Sequence, residues 1–126
     1  AINCDGVDDG GRLTGMRARG GDAVASALAE AGTALGAPVR IRGLIPGVLV
    51  DAVALADAGW RTATVSRGTL RTLMRIHGAG DTPDRLHGTG MAEAGAVIAE
   101  AARRLAARAT HANERVGTPA RANAPG

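Results

Sequence analysis

His77 is the residue whose type and setting most suit chemistry. It stands between an apolar run and a predicted helix start, where Thr82 can serve as the N-cap and Pro83 suits the first helical position. This frame would hold the imidazole close to a rigid element, and neutral imidazole is a good zinc ligand. A nearby carboxylate such as Asp81 could orient the ring through its second nitrogen. Considered alone, a single histidine is more often a surface or core residue than a ligand.

Asp5 is the second candidate ligand. It lies in segment 2–7, which reads as a short strand ended by a Gly-rich turn. A carboxylate at the C-terminal end of a strand points into the crevice where open α/β sheets place their sites. The alternative is a turn-forming Asp before Gly6. The other two histidines, His87 and His111, have weaker claims, and we expect both to be exposed.

Both candidates lie in segments that resemble one known family. Residues 77–82 read His-Gly-Ala-Gly-Asp-Thr, which resembles the His-Thr-Pro-x-Asp-Thr pattern around the last metal-binding histidine of zinc-dependent aminopeptidases. Residues 2–7, Ile-Asn-Cys-Asp-Gly-Val, resemble the Asn-x-Asp strand end of that family, and residues 63–68 resemble the strand before its histidine loop. The resemblance covers most of the chain up to about Leu105. It corresponds to the C-terminal half of the catalytic domain of bacterial leucyl aminopeptidase-like enzymes.

The resemblance implies a metal-dependent exopeptidase that hydrolyses peptide bonds with water activated by two zinc ions. Asp5 and His77 would each supply one terminal ligand, to different ions. The family also uses a His-x-Asp pair, a bridging Asp and a Glu-Glu pair that contains the general base, and this sequence has neither His-x-Asp nor Glu-Glu. Two ligands alone, without the bridging Asp and the general base, cannot hold a two-metal site or activate water. The expected partners are therefore a peptide substrate and the missing N-terminal half of the catalytic domain. The alternative is a non-catalytic binding or assembly domain of the same fold.

Composition favours part of a larger domain. The chain begins at Ala1 without an initiator Met, and its first residues already read as a strand. Its 126 residues include one Trp and no Phe or Tyr, so the many Ala side chains would bury little area in an independent core. We expect residues 1–115 to form the C-terminal half of a zinc aminopeptidase-like domain, and residues 116–126 to be a disordered tail.

Charge and cysteine content exclude other classes. The fifteen basic residues are all Arg, spread along the chain with a net charge of only +3, and aromatic side chains do not alternate with them. Nucleic-acid binding is therefore not expected. The single Cys4 cannot form an intrachain disulfide, and within a strand it is expected to be a small buried group. No apolar run has the length of a membrane span.

The pattern along the chain predicts the elements that would position these residues. Strands are expected at 2–7, 12–17, 39–42 and 60–66, the second returning beside the first. Helices are expected at 22–36, with Leu35 on the apolar face, at 52–58 capped by Asp51, and from 83 or 91 to about 108, with Met91 on the apolar face. Alternating strands and helices predict an α/β fold, a three-layer mixed sheet with flanking helices. The resemblance implies that this is a partial zinc-peptidase-like domain.

Overall fold

A computed structural model describes residues 1–8, 10–45 and 51–117, and their side chains as far as residue 112. The described strands are β1 (Ile2–Cys4), β2 (Thr14–Arg17), β3 (Arg40–Gly43) and β4 (Ala63–Ser66). The described helices are α1 (Asp22–Ala34), α2 (Asp51–Asp57), α3 (Leu70–Arg75) and α4 (Thr89–Gly117), with a 3-10 turn at Pro83–Arg85. No helix in this part of the chain is both long and apolar enough to cross a membrane.

The four strands form one mixed sheet in the order β1-β4-β2-β3. β1 is parallel to β4, β4 is antiparallel to β2, and β2 is parallel to β3. The predicted α/β class with a mixed sheet and helices is confirmed. The expected pairing of β2 with β1 is wrong, because β4 lies between them. β4 is uncharged, and its Ala63, Thr64 and Val65 are fully buried, which suits an interior strand better than an edge.

Helices α1 and α4 pack together on one face of the sheet. Their contact consists largely of alanines, with Leu28 and Val97 as the larger fully buried side chains. Gly15 of β2 faces α1, since a Cβ at that position would lie 3.7 Å from Leu28 Cδ1. Helix α2 contacts β1 and β4. The core is therefore built from small side chains in close contact, as the composition predicted.

Local signals predicted several boundaries well. The helix expected at 22–36 is α1, and the chain turns at Gly36 with φ +68°. The helix expected at 52–58 is α2, which begins one residue earlier, at the exposed Asp51, and is followed by Gly59 with φ +88°. His87 and His111 are exposed, as predicted. The predicted break at Pro46-Gly47 and residues 118–126 of the predicted tail lie outside the described residues.

Some burial predictions are wrong for identifiable reasons. Leu35 is half exposed because it follows the last residue of α1 as the C-cap. Met91 is half exposed and lies in the first turn of α4, before the first buried apolar side chain of that helix, Ala94. Cys4, expected to be buried, is exposed because β1 is an outer strand. Partial burial, and secondarily the charge of Asp5, still raises the pKa of the Cys4 thiol.

Candidate functional site

A cleft of about 430 Å³ opens on the face of the sheet opposite α1 and α4. Side chains alternate along a strand, so Met16 points away from the face to which Gly15 turns, and Met16 borders the cleft. The other apolar residues around it are Ile45, after β3, and three residues from α3 and its end: Leu70, Leu73 and Ile76. An apolar ligand could therefore lie between the sheet and α3.

Polar groups border the same cleft where β1 and β4 end. These strands are parallel, so their C-terminal ends meet at one edge of the sheet, where Asp5 and Ser66 lie. The backbone N–H of Asp5 donates to the carbonyl oxygen of Val65 at 3.0 Å. That bond extends the pairing of β1 with β4 by one residue and fixes the backbone of Asp5. Its carboxylate is exposed at the mouth of the cleft.

Helix α3 forms one wall of the cleft, and it was not predicted. Its N-terminus has a capping box in which the Thr72 N–H donates to Thr69 Oγ1 at 3.3 Å and the Thr69 N–H donates to Thr72 Oγ1 at 2.9 Å. The usual residue at the second position of this motif is Glu or Gln, so the threonine pair is a weak signal. The spacing of Thr69 and Thr72, followed by the apolar residues Leu73 and Ile76, is the pattern that could have revealed it.

His77 follows Ile76, the C-cap of α3, and has an unusual backbone. Its φ is +63°, a conformation that non-glycine residues rarely adopt. Its backbone N–H donates to Asp81 Oδ2 at 3.2 Å, and the Gly78 N–H donates to the carbonyl oxygen of Arg75 at 3.0 Å. Asp81 was expected to orient the imidazole, but this bond goes to the backbone amide. It holds the loop that carries His77, whose side chain is exposed.

The structure brings the two predicted ligands to the same end of the sheet without a complete metal site. Asp5 borders the cleft, and His77 follows the cleft residue Ile76 without itself lining the cleft. Among the described residues, no three His, Cys, Asp or Glu side chains are grouped as metal ligands. Zinc commonly takes four ligands, or three and a water. Asp5 and His77 therefore do not fit a resident zinc ion on their own, and their role as ligands stays a prediction.

Asp8 fixes the loop that follows Asp5. Its carboxylate accepts backbone N–H groups from Gly88 at 2.7 Å, from His87, and from Gly90 at 2.9 Å. These hydrogen bonds lower the pKa of Asp8, and the bond from Gly88 has the largest effect. The loop between β1 and β2 is thereby attached to the start of α4. The sequence places Asp8 in the Gly-rich turn that follows the first predicted strand, and no local pattern identifies a partner so distant in sequence.

Arg67 makes a second attachment at the same end of the molecule. Its Nε donates to the carbonyl oxygen of Gly11 at 3.0 Å, and its Nη1 forms an ion pair with Glu93 of α4. The backbone N–H of Gly11 in turn donates to the carbonyl oxygen of Arg67 at 3.0 Å. Together with Asp8, this pair holds the end of β4 and the loop before β2 against α4.

Comparison of the chain with protein-family models, with curated proteins and with solved structures gives no match. The functional assignment therefore depends on the residues and on their arrangement around the cleft.

Proposed function

We propose that this chain is the C-terminal half of the catalytic domain of a metal-dependent exopeptidase of the aminopeptidase type. In this proposal Asp5 and His77 each bind a different zinc ion, and a peptide occupies the cleft. The observation that carries it is the position of Asp5, at the end of the parallel strand β1 and at the mouth of an apolar cleft. Ligands of open α/β sheets bind outside the carboxyl ends of the strands.

The backbone of His77 supports a functional role. A left-handed conformation costs a non-glycine residue about 1 kcal/mol or more, and such strain is concentrated at functional sites. Here the bond to Asp81 and the turn after α3 hold the residue in that conformation. A rigid loop would present the imidazole in one orientation, as a metal ligand requires.

The chain's own residues would bind and position the substrate. Asp5 and His77 would hold metal, Asp81 would hold the histidine loop, and the apolar wall of α3 would keep water from the substrate side chain. When bound, the zinc ions would supply an activated water and a polarised carbonyl. The remaining ligands and the general base would come from the N-terminal half of the domain, because this sequence contains neither His-x-Asp nor Glu-Glu.

The test is metal content and aminopeptidase activity of the product of the complete reading frame that contains this chain. His77→Ala and Asp5→Ala should each lower bound zinc and abolish hydrolysis of an amino-acid p-nitroanilide. The matched control is His87→Ala, because His87 is exposed and lies ten positions further along. Unchanged zinc content in both ligand variants would overturn the proposal, as would an intact frame that encodes neither His-x-Asp nor Glu-Glu.

One observation favours the alternative, a non-catalytic binding or assembly domain of the same fold. Helix α3 exposes two large apolar side chains, Leu70 at 74% and Met74 at 81%. Exposed apolar groups of this kind can mark a contact with another polypeptide. The same experiment separates the two functions, because an assembly domain would keep its properties when Asp5 or His77 is replaced.

A further inference from the structure

A cationic side chain borders the otherwise apolar part of the cleft. Arg42 lies on β3 and is paired with Met16 of β2, so the two residues share the face on which the cleft opens. Ion pairs within the described part of the chain include those of Arg17, Arg67, Arg103, Arg104 and Arg108, and Arg75 has an interaction of its own. No ion pair to Arg42 occurs among the described residues. Its guanidinium is therefore available to an anionic ligand.

Asp5 and Arg42 border opposite ends of the cleft. Asp5 follows the outer strand β1, and Arg42 lies on the other outer strand, β3, with β4 and β2 between them. Three steps between neighbouring strands of ~4.8 Å each place β1 and β3 about 14 Å apart. Arg42 is also offset from Asp5 along the strands, because Arg42 pairs with Met16 and Asp5 lies beyond the Cys4–Val65 pair. A negative and a positive side chain thus lie at the two ends of a groove whose wall is the apolar side of α3.

We infer that the cleft binds short apolar peptides with a free C-terminus, and that Arg42 binds the terminal carboxylate. The inference names the substrate class of the proposed exopeptidase and so rests on that proposed function. A guanidinium binds a carboxylate through two parallel hydrogen bonds. An extended peptide advances about 3.3–3.6 Å per residue, so peptides of roughly two to four residues fit the distance between the two charges. Longer chains would have no carboxylate at Arg42.

The apolar wall sets the preferred side chains. Leu70, Leu73 and Ile76 present apolar surface between the two charged ends. An apolar peptide side chain would cover this surface and remove it from water, which is favourable in proportion to the buried area. A charged side chain would lose its hydration there without gaining a partner. The selected ligand is therefore apolar along its length and charged at its ends.

The experiment is calorimetric titration of the full chain with trileucine and with trileucine amide, in buffer that contains a metal chelator. The free acid should bind about tenfold more tightly than the amide, as expected for hydrogen bonds to a charged group. Arg42→Gln should abolish the difference, and Arg42→Lys should keep part of it. The matched control is Arg40→Gln on the same strand, which removes the same charge from a residue that does not line the cleft.

Each outcome decides the inference separately from the proposed function. Equal affinity for acid and amide overturns it, as do binding of neither peptide and a preference that survives in Arg42→Gln. The chelator makes the measurement independent of zinc. A preference that depends on Arg42 therefore supports the inference even if replacement of Asp5 or His77 leaves zinc content unchanged. Loss of zinc in those variants together with equal peptide affinities would keep the proposed function and remove the inference.

Discussion

The carboxylate of Asp8 caps the N-terminus of α4, where its Oδ1 accepts the backbone N–H of Gly90 at 2.9 Å across 82 positions of sequence. The first N–H groups of a helix have no partner within the helix, and a negative charge is favourable at that end. The bond therefore gives one of these N–H groups of α4, the longest described helix, a partner in a loop near the N-terminal end of the chain. That loop also follows Asp5, so the cap connects the candidate site to the core.

Asp8→Asn should lower the midpoint of thermal unfolding by several degrees. The amide has one acceptor oxygen instead of two and directs an N–H group at backbone donors, so it cannot replace the carboxylate. Asp57→Asn is the control, since Asp57 is exposed at the end of α2 and its replacement removes the same charge. Thermal unfolding followed by circular dichroism measures both. Equal midpoints for the two variants would show that the cap contributes nothing.

Stability should fall in acid because several carboxyl groups have lowered pKa values. The pKa of Asp8 is lowered by the backbone hydrogen bonds described above. The pKa of Glu30 is lowered mainly by the hydrogen bond from Arg108, and the pKa of Glu100 mainly by the hydrogen bond from Arg103. A carboxyl group whose pKa is lower in the folded than in the unfolded protein stabilises the fold. This contribution is fully present above the pKa of the unfolded state, about 4, and is lost as the pH falls through the pKa of the folded state. The unfolding midpoint should therefore be nearly constant from pH 7 to about 5 and fall below about 4. In Asp8→Asn this fall should be smaller, and an identical fall would contradict the assignment to Asp8.

Gly90 is required at the start of α4 by the close approach of another loop. A Cβ there would lie 2.4 Å from the carbonyl oxygen of Val7, which is backbone and cannot rotate away. Gly90→Ala should destabilise the protein by about 1–3 kcal/mol. In the same helix, a Cβ at Gly95 would meet nothing within 4 Å, so Gly95→Ala should stabilise it by about 0.5–1 kcal/mol. Denaturant unfolding measures both free energies, and changes of the same sign would refute this account.

Sequence predicted best those elements whose signals are local. The apolar period of α1 and the glycine at position 36 lie within one continuous segment, and both are found where expected. Helix α3 was missed because it has only six residues and its capping box uses Thr72 in place of an acid or amide. A six-residue helix shows less than two turns of periodicity, so its pattern cannot be separated from that of a strand.

The order of the strands and the attachments around the site could not be read from local pattern. Insertion of β4 between β1 and β2 depends on the burial of Thr64 and Val65, and thus on contacts across about half the chain. The same holds for Asp8, whose partners follow it by about eighty positions. Sequence identified Asp5 as a residue at the C-terminal end of a predicted strand, and His77 as a residue between an apolar run and a predicted helix start. Their metal binding, and the zinc-peptidase-like type of the fold, stay predictions.

The two buried threonines beside and within β4 should respond in opposite ways to replacement by valine. Thr62 is fully buried, and its hydroxyl has no hydrogen-bond partner among the described residues. Thr62→Val keeps the shape and removes an unpaired polar group, so it should stabilise the protein by about 1 kcal/mol. Thr64 is also fully buried, but its Oγ1 accepts a hydrogen bond from Asn3 Nδ2 at 3.3 Å. Thr64→Val should therefore destabilise by about 1 kcal/mol. Denaturant titration of both variants measures the two changes, and a loss of stability in Thr62→Val would indicate that its hydroxyl is satisfied.

Replacement of His77 can separate backbone strain from the role of its side chain. His77→Gly and His77→Ala both remove the imidazole, but only glycine adopts φ +63° without steric cost. His77→Gly should therefore be more stable than His77→Ala by about 1 kcal/mol. At His87, whose φ is not positive, the order should reverse. Glycine there relieves no strain, and it destabilises the protein by increasing the conformational entropy of the unfolded chain. Unfolding free energies of the four variants give both differences. If alanine were more stable than glycine at both positions, residue 77 would carry no strain, and the conformational argument for a functional histidine would fail.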